Sequence, residues 1–171
     1  TVTPSGNGSG SVSSTPAGIT CGLDCTENYN HGQVVMLTAT PAAGSTFVWG
    51  GACAGNGACM VTMTAARTVT VTYTLNTYAL GVMIAGNGSG TVASTPAGIG
   101  CPGDCTETYN HGQVINLTAT PAVGSTVVWS GACAGNGACS VTMDAVKNVT
   151  ATFTLNTYVL TAATSGSGSI G

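Results

Sequence analysis

Charge is nearly missing from this sequence. Only 4% of its 171 residues are Asp, Glu, Lys or Arg, against roughly 25% in ordinary soluble domains. The charged set is Asp24, Glu27, Arg67, Asp104, Glu107, Asp144 and Lys147, with a formal net charge of −3. So few cations exclude a nucleic-acid surface, which needs clustered Lys and Arg against phosphate. Aromatic residues make up only 5% and provide no stacking platform for a sugar. No apolar run recurs at helical spacing. No continuous apolar stretch is long enough to cross a membrane: the uncharged residues 69–85 begin Val-Thr-Val-Thr-Tyr-Thr-Leu, which is the alternation of a strand. Thr1-Val2-Thr3-Pro4 has neither the basic region nor the apolar core of a secretory leader, so a secreted protein is expected to have shed its leader already. Hydrophobic residues reach 43%, enough for a packed core and incompatible with disorder. Hydration of the surface is left to Thr, Ser, Asn and Gly, and an uncharged surface has little self-repulsion to oppose association.

What is abundant is repetition. Cys21, Cys25, Cys53 and Cys59 recur as Cys101, Cys105, Cys133 and Cys139, each 80 residues later. Trp49 and Trp129, His31 and His111, and Pro16 and Pro96 keep the same offset. Residues 1–80 and 81–160 align without a gap at about 70% identity, so the chain holds two copies of one small domain. Residues 155–161 (Leu-Asn-Thr-Tyr-Val-Leu-Thr) then repeat residues 75–81 (Leu-Asn-Thr-Tyr-Ala-Leu-Gly), and Gly166-Ser167-Gly168-Ser169 resembles Gly86-Asn87-Gly88-Ser89. The C-terminal segment reads as the opening strand of a third copy. Thr1 aligns with Gly81, so the first copy has no counterpart of Tyr78, Ala79 and Leu80 in this sequence. The expected division is a first repeat over residues 1–77 with a shortened first strand, a second over 78–157, and a spare strand over 158–171.

Strand signals are dense. Val69, Val71, Tyr73 and Leu75 alternate with Thr and share one face, and Val149, Ala151, Phe153 and Leu155 do the same. Val35, Leu37 and Ala39 form another alternating run, ended by Pro41, and Val61 and Met63 a short one. Gly6-Asn7-Gly8-Ser9-Gly10 is a turn, and Asn30-His31-Gly32 reads as a hairpin turn. Short strands between closely spaced turns predict an all-β fold: two tandem small Ig-like β-sandwich domains with an extra C-terminal strand.

The order Gly-Asn-Gly-Ser-Gly, Ser-Thr-Pro-Ala-Gly-Ile, Cys-x-x-Asp-Cys, Leu-Thr-Ala-Thr-Pro-Ala-x-Gly-Ser, then Trp-x-Gly-Ala-Cys-Ala-Gly-Asn-Gly-Ala-Cys and Val-Thr-Met resembles the bacterial tandem repeat domains described as divergent internalin-type B repeats or Ig-like repeats. The resemblance spans both copies nearly end to end. It implies a β-rich module strung in arrays in large secreted and cell-surface proteins. It implies no reaction, because the family shares no active site.

The eight cysteines are spaced Cys-x3-Cys and Cys-x5-Cys, twice. Local disulfides Cys21–Cys25, Cys53–Cys59, Cys101–Cys105 and Cys133–Cys139 are expected, stapling each domain twice; four cysteines per copy also allow pairing between the two loops. Each small ring stabilises by about 2 kcal/mol on loop entropy, which matters for a domain whose core alone is marginal. A redox pair wants Cys-x-x-Cys at a helix start, and a zinc ribbon wants other spacings, so neither competes well.

No catalytic constellation is present. His31 and His111 lie in equivalent Tyr-Asn-His-Gly turns without the partners of a triad, and read as turn residues. Asp24 with Glu27, and Asp104 with Glu107, offer at most a weak site for Ca²⁺, which takes about six to eight oxygens, and read as solvated loop acids. Trp49 and Trp129 read as core residues packed on the second cysteine loop. Lys147, Asn148 and Asp144 have the residue types of a Lys–Asn crosslink, but the first copy carries Arg67 in the lysine position and Arg cannot form that bond. No metal or cofactor is expected. N-glycosylation sequons begin at Asn7, Asn87, Asn116 and Asn148, and the Ser/Thr density allows O-glycans.

The sequence therefore predicts a non-enzymatic, extracellular or cell-surface structural protein without a transmembrane segment, associating with itself. The expected mode is head-to-tail polymerisation, with Leu155, Tyr158, Leu160, Ala162 and Thr164 on a strand donated to the next copy. The alternative is a stalk or spacer within a larger adhesin.

Overall fold

The computed structural model describes residues 1–163, and among these there are fifteen strands and no helix. The first repeat contributes β1 (Val2–Gly6), β2 (Gly10–Thr15), β3 (Thr20–Cys21), β4 (Val34–Pro41), β5 (Ser45–Gly51), β6 (Cys59–Thr62) and β7 (Val69–Leu75). They form two sheets, ordered β1-β7-β5 and β3-β2-β4-β6. The alternation read from the sequence sets their faces. Val69, Val71 and Tyr73 of β7 point inward and meet Val12, Val35, Leu37 and Val61 from the facing sheet, and Val2 and Trp49 complete the core. Cys59 of β6 is buried in the same cluster.

The second repeat contributes β8 (Thr77–Gly86), β9 (Gly90–Thr95), β10 (Gly100–Cys101), β11 (Thr106–Asn110), β12 (Val114–Pro121), β13 (Ser125–Gly131), β14 (Cys139–Thr142) and β15 (Lys147–Leu155). Its sheets are ordered β11-β8-β15-β13 and β10-β9-β12-β14. The chain divides into one unit of Thr1–Ala79 with Thr108–Val114 and Thr142–Val146, and another of Leu80–Glu107, Ile115–Val141 and the described residues from Lys147 on.

In each repeat the first and last strands run parallel. β1 pairs with β7 from Val2 opposite Val69 to Gly6 opposite Tyr73. β8 pairs with β15 over a longer register, from Leu80 opposite Lys147 to Gly86 opposite Phe153. Gly6 and Gly86 end these ladders at φ of 99° and 96°, where a Cβ would also overlap the carbonyl of Tyr73 or Phe153.

The turn at Asn30-His31-Gly32 is not a hairpin. In the second repeat, where strands flank the equivalent turn on both sides, β11 and β12 lie in different sheets. β12 already has β9 on one side and β14 on the other, so no edge remains for β11, and the chain crosses between sheets instead. The spare segment expected at the C-terminus lies outside every strand over residues 156–163. A single strand without a neighbour has no ladder to stabilise it.

Candidate assembly site

The two repeats differ most at one edge. In the second repeat β8 begins at Thr77, and Leu80 is 0% exposed. Along its outer side β11 adds a fourth strand, anchored where Val82 N–H donates to Cys105 O at 2.8 Å and His111 N–H donates to Asn76 O at 2.8 Å. Tyr109 and Met143 are buried.

The equivalent edge of the first repeat stops short. Val2 N–H donates to Cys25 O at 2.8 Å, matching Val82 and Cys105. Beyond that bond, residues 26–30 form no strand, and Tyr29 and Met63 are only half-buried. Here a small recess is lined by apolar Val2, Ile19, Val35, Leu37, Val61, Met63 and Val69 together with Thr1, Glu27, Tyr29 and Arg67. It lies beside a groove of about 400 Å³ running past Glu27, Tyr29, His31, Met63 and Arg67. Thr1 lines both, and its nitrogen donates to Arg67 O at 3.1 Å.

The expected donor residues are exposed. Leu155 ends β15 half-exposed, Tyr158 and Leu160 are 87% and 96% exposed, and Ala162 is exposed as well. Thr164 lies outside the described residues.

All eight cysteines are paired within their own loops, as Cys21–Cys25, Cys53–Cys59, Cys101–Cys105 and Cys133–Cys139. The second ring of each repeat folds over its tryptophan: Trp49 N–H donates to Gly55 O and Trp129 N–H to Gly135 O, both at 2.6 Å, and Trp49 Nε1 donates to Gly57 O at 3.1 Å. Both tryptophans are buried. Asp24 accepts from Thr26 N–H at 3.0 Å and Asp104 from Thr106 N–H at 3.2 Å, so each acid caps its own loop. No group of three or more His, Cys, Asp or Glu able to hold a metal occurs among the described residues. The sequon residues Asn7, Asn87, Asn116 and Asn148 are all exposed. Asn7 Oδ1 accepts from Leu75 N–H at 3.1 Å and Asn87 Oδ1 from Leu155 N–H at 3.0 Å, so these two also fix the ends of β7 and β15.

Two features escaped the sequence reading. His111 does more than turn the chain: its ring meets Tyr78 edge-on with centroids 6.0 Å apart, and it lies against Gly44, where a Cβ would overlap it. The repeated Leu-Asn-Thr-Tyr and Tyr-Asn-His-Gly motifs were the available signal. Tyr73 is buried with its hydroxyl donating to Ser11 O at 2.8 Å, and burial holds its pKa above the ordinary tyrosine value.

Sheet order, strand alternation and paired cysteines define a tandem, disulfide-stapled β-sandwich repeat. The chain belongs to the divergent InlB B-repeat domain family, whose profile matches residues 1–77 and 82–157. No curated protein matches it. Among solved structures, a minor pilin of the gram-positive pathogen Streptococcus agalactiae aligns at 8% identity with a TM-score of 0.33, over 82% of this chain and 67% of that one. Family membership and four disulfides point to an extracellular or cell-surface structural module, since such bonds persist in oxidising surroundings. Among the described residues no helix is long and apolar enough to cross a membrane.

Proposed function

We propose that the chain is a structural subunit of an extracellular filament, joined head to tail by donation of its C-terminal segment to the next copy. One observation carries this reading: residues 155–161 match residues 75–81 at five of seven positions, yet Leu80 is 0% exposed and Leu160 96%. A segment with the sequence of a core strand stands in solvent, and strand addition gives such a segment both a ladder and a pocket. A head-to-tail contact that does not close on itself propagates as a filament. With only 4% of its residues charged, the chain opposes this association weakly. Glycans on the exposed sequon residues would hydrate the fibre. The second reading, a stalk or spacer in a larger adhesin, is favoured by the tandem arrangement of the family match. No reaction is assigned to the chain.

Negative-stain electron microscopy of the 171-residue chain, beside a variant lacking residues 156–171, tests the proposal. Filaments are expected from the first and none from the second. Filaments from the shortened chain, or none from either at high concentration, would overturn it.

A further inference from the structure

We propose that Asn56 and Asn136, each inside the larger disulfide ring of its repeat, are sites of spontaneous main-chain modification, where the asparagine cyclises onto the following glycine, loses ammonia and is left as an acid.

The sequence contains four Asn-Gly steps: Asn7-Gly8, Asn56-Gly57, Asn87-Gly88 and Asn136-Gly137. In such a step the glycine nitrogen, once hydroxide has taken its proton, attacks Cγ of the asparagine. A Cγ–N bond forms, the Cγ–Nδ2 bond breaks, and the side-chain nitrogen leaves as ammonia. Water then opens the cyclic imide at either carbonyl. One opening gives an aspartyl residue and the other an isoaspartyl residue, whose main chain runs through Cβ. The reaction consumes water and needs no oxidant, reductant or partner. Asparagine is thermolabile through this chemistry, and glycine favours it because no Cβ crowds the attacking nitrogen.

The fold holds two of the four steps shut. Asn7 Oδ1 accepts from Leu75 N–H at 3.1 Å, and Gly8 N–H donates to Tyr73 O at 3.0 Å. Asn87 and Gly88 make the same two bonds with Leu155 and Phe153, both at 3.0 Å. Both reacting groups are thus tied to β7 or β15, and their approach requires both bonds to break. Packing also demands these glycines. A Cβ on Gly8 would lie 2.8 Å from Thr74 C, and one on Gly88 2.8 Å from Ser125 Oγ.

The two ring steps are open. Asn56, Gly57, Asn136 and Gly137 are exposed. Among the described residues no hydrogen bond ties the side chain of Asn56 or Asn136, or the N–H of Gly57 or Gly137. Nor does the fold ask for glycine at these places. Gly55 and Gly135 turn the ring at φ of 74° and 85°, but Gly57 and Gly137 have no positive φ, and a Cβ on either would meet nothing within 4 Å. The glycine that makes each asparagine reactive is one the structure does not need. Both steps continue into Ala58 or Ala138, so neither is a glycosylation sequon.

The product has two effects on this chain. Two added carboxylates take the formal net charge from −3 to −5, which raises self-repulsion on a protein that has little. An isoaspartyl link also adds an atom to the main chain of the Cys53–Cys59 ring, next to the Gly57 carbonyl that accepts from Trp49 Nε1 at 3.1 Å.

The full oxidised chain, warmed at mildly alkaline pH, is compared with the same chain reduced in denaturant. Peptide mapping reads the mass gained when oxygen replaces the amide nitrogen, and a protein-isoaspartate methyltransferase labels the isoaspartyl product. In the folded chain Asn56 and Asn136 are expected to convert, faster as pH rises, while Asn7 and Asn87 stay intact. In the unfolded chain all four are expected to convert at similar rates. The double variant Gly57→Ala, Gly137→Ala is expected to melt no lower than the native chain and to lose conversion at both ring positions. Conversion of Asn7 and Asn87 alongside Asn56 and Asn136 in the folded chain overturns the proposal. So does a folded chain with Asn56 and Asn136 intact under conditions that convert the unfolded one. Conversion of the double variant at the native rate overturns it as well, because the glycine nitrogen is then not the attacking atom.

Discussion

The first repeat has a three-stranded sheet where the second has four, although the segments concerned are nearly identical. Residues 26–30 differ from Thr106–Asn110 only in Asn28 against Thr108. Thr favours strands over Asn, but the whole propensity scale spans about 1 kcal/mol and depends on context. What separates the two segments is a neighbour. β8 reaches back to Thr77 and presents an edge, whereas β1 begins at Val2 and pairs with β7 only from Val69 on. Identity of sequence therefore did not give identity of structure, because a strand is a property of a pair. Elsewhere the differences between copies are compensated within the core. Tyr73 and Phe47 lie with ring centroids 6.4 Å apart, and their counterparts are Phe153 and Val127.

The comparison breaks most visibly at Leu80. Leu80→Ala removes a fully buried side chain and is expected to destabilise the second repeat by about 3 kcal/mol. Leu160→Ala should leave the unfolding of the monomer unchanged, since that leucine is exposed. Denaturant titration of both variants reads the contrast, and equal effects would mean that residues 155–161 are already docked in the monomer.

The next effect is symmetric. Replacing Cys53 and Cys59 by Ala, or Cys133 and Cys139 by Ala, opens a ring of the same size in either copy. Each pair should cost about 2 kcal/mol by loop entropy. A much larger loss in one repeat would show that its ring also supports packing over Trp49 or Trp129, and calorimetry on the two double variants separates the cases.

The smallest effect concerns Tyr73 against Phe153. Tyr73→Phe removes the bond to Ser11 O and should cost about 1 kcal/mol. The native tyrosine also brings a pH dependence. Burial raises its pKa in the folded state, so the folded chain holds the phenolic proton where the unfolded chain releases it. Its contribution is full below the ordinary tyrosine pKa and is lost as pH rises through the higher folded value. Melting temperatures in alkaline buffer should fall less steeply for Tyr73→Phe than for the native chain. Parallel slopes would show that the phenol does not contribute.

Much of this was legible in the sequence. The repeat, the all-β class and the inward faces of β7 and β15 follow from identity at an offset of 80 and from period-two alternation. Parallel pairing of first and last strands did not follow, because alternation states which face is buried and not which neighbour is hydrogen-bonded. The crossing at His31 and His111 was hidden for the same reason: Gly32 and Gly112, at φ of 81° and 78°, serve a crossover turn as well as a hairpin. The recess of the first repeat was not legible. Its apolar floor required the fold, since Val2, Ile19, Val35 and Val61 come from separate stretches of chain.

The parallel ladder between first and last strands has a mechanical consequence. β8 enters the second repeat at one end of that ladder and β15 leaves it at the other, with Leu80 opposite Lys147 and Gly86 opposite Phe153. Tension applied to the two ends of the repeat pulls these strands along their length in opposite directions. The hydrogen bonds are then loaded together in shear, not opened singly from one end like a zipper. Because the disulfides close only local rings, this ladder is what bears the pull, and it suits the repeat to being held under load.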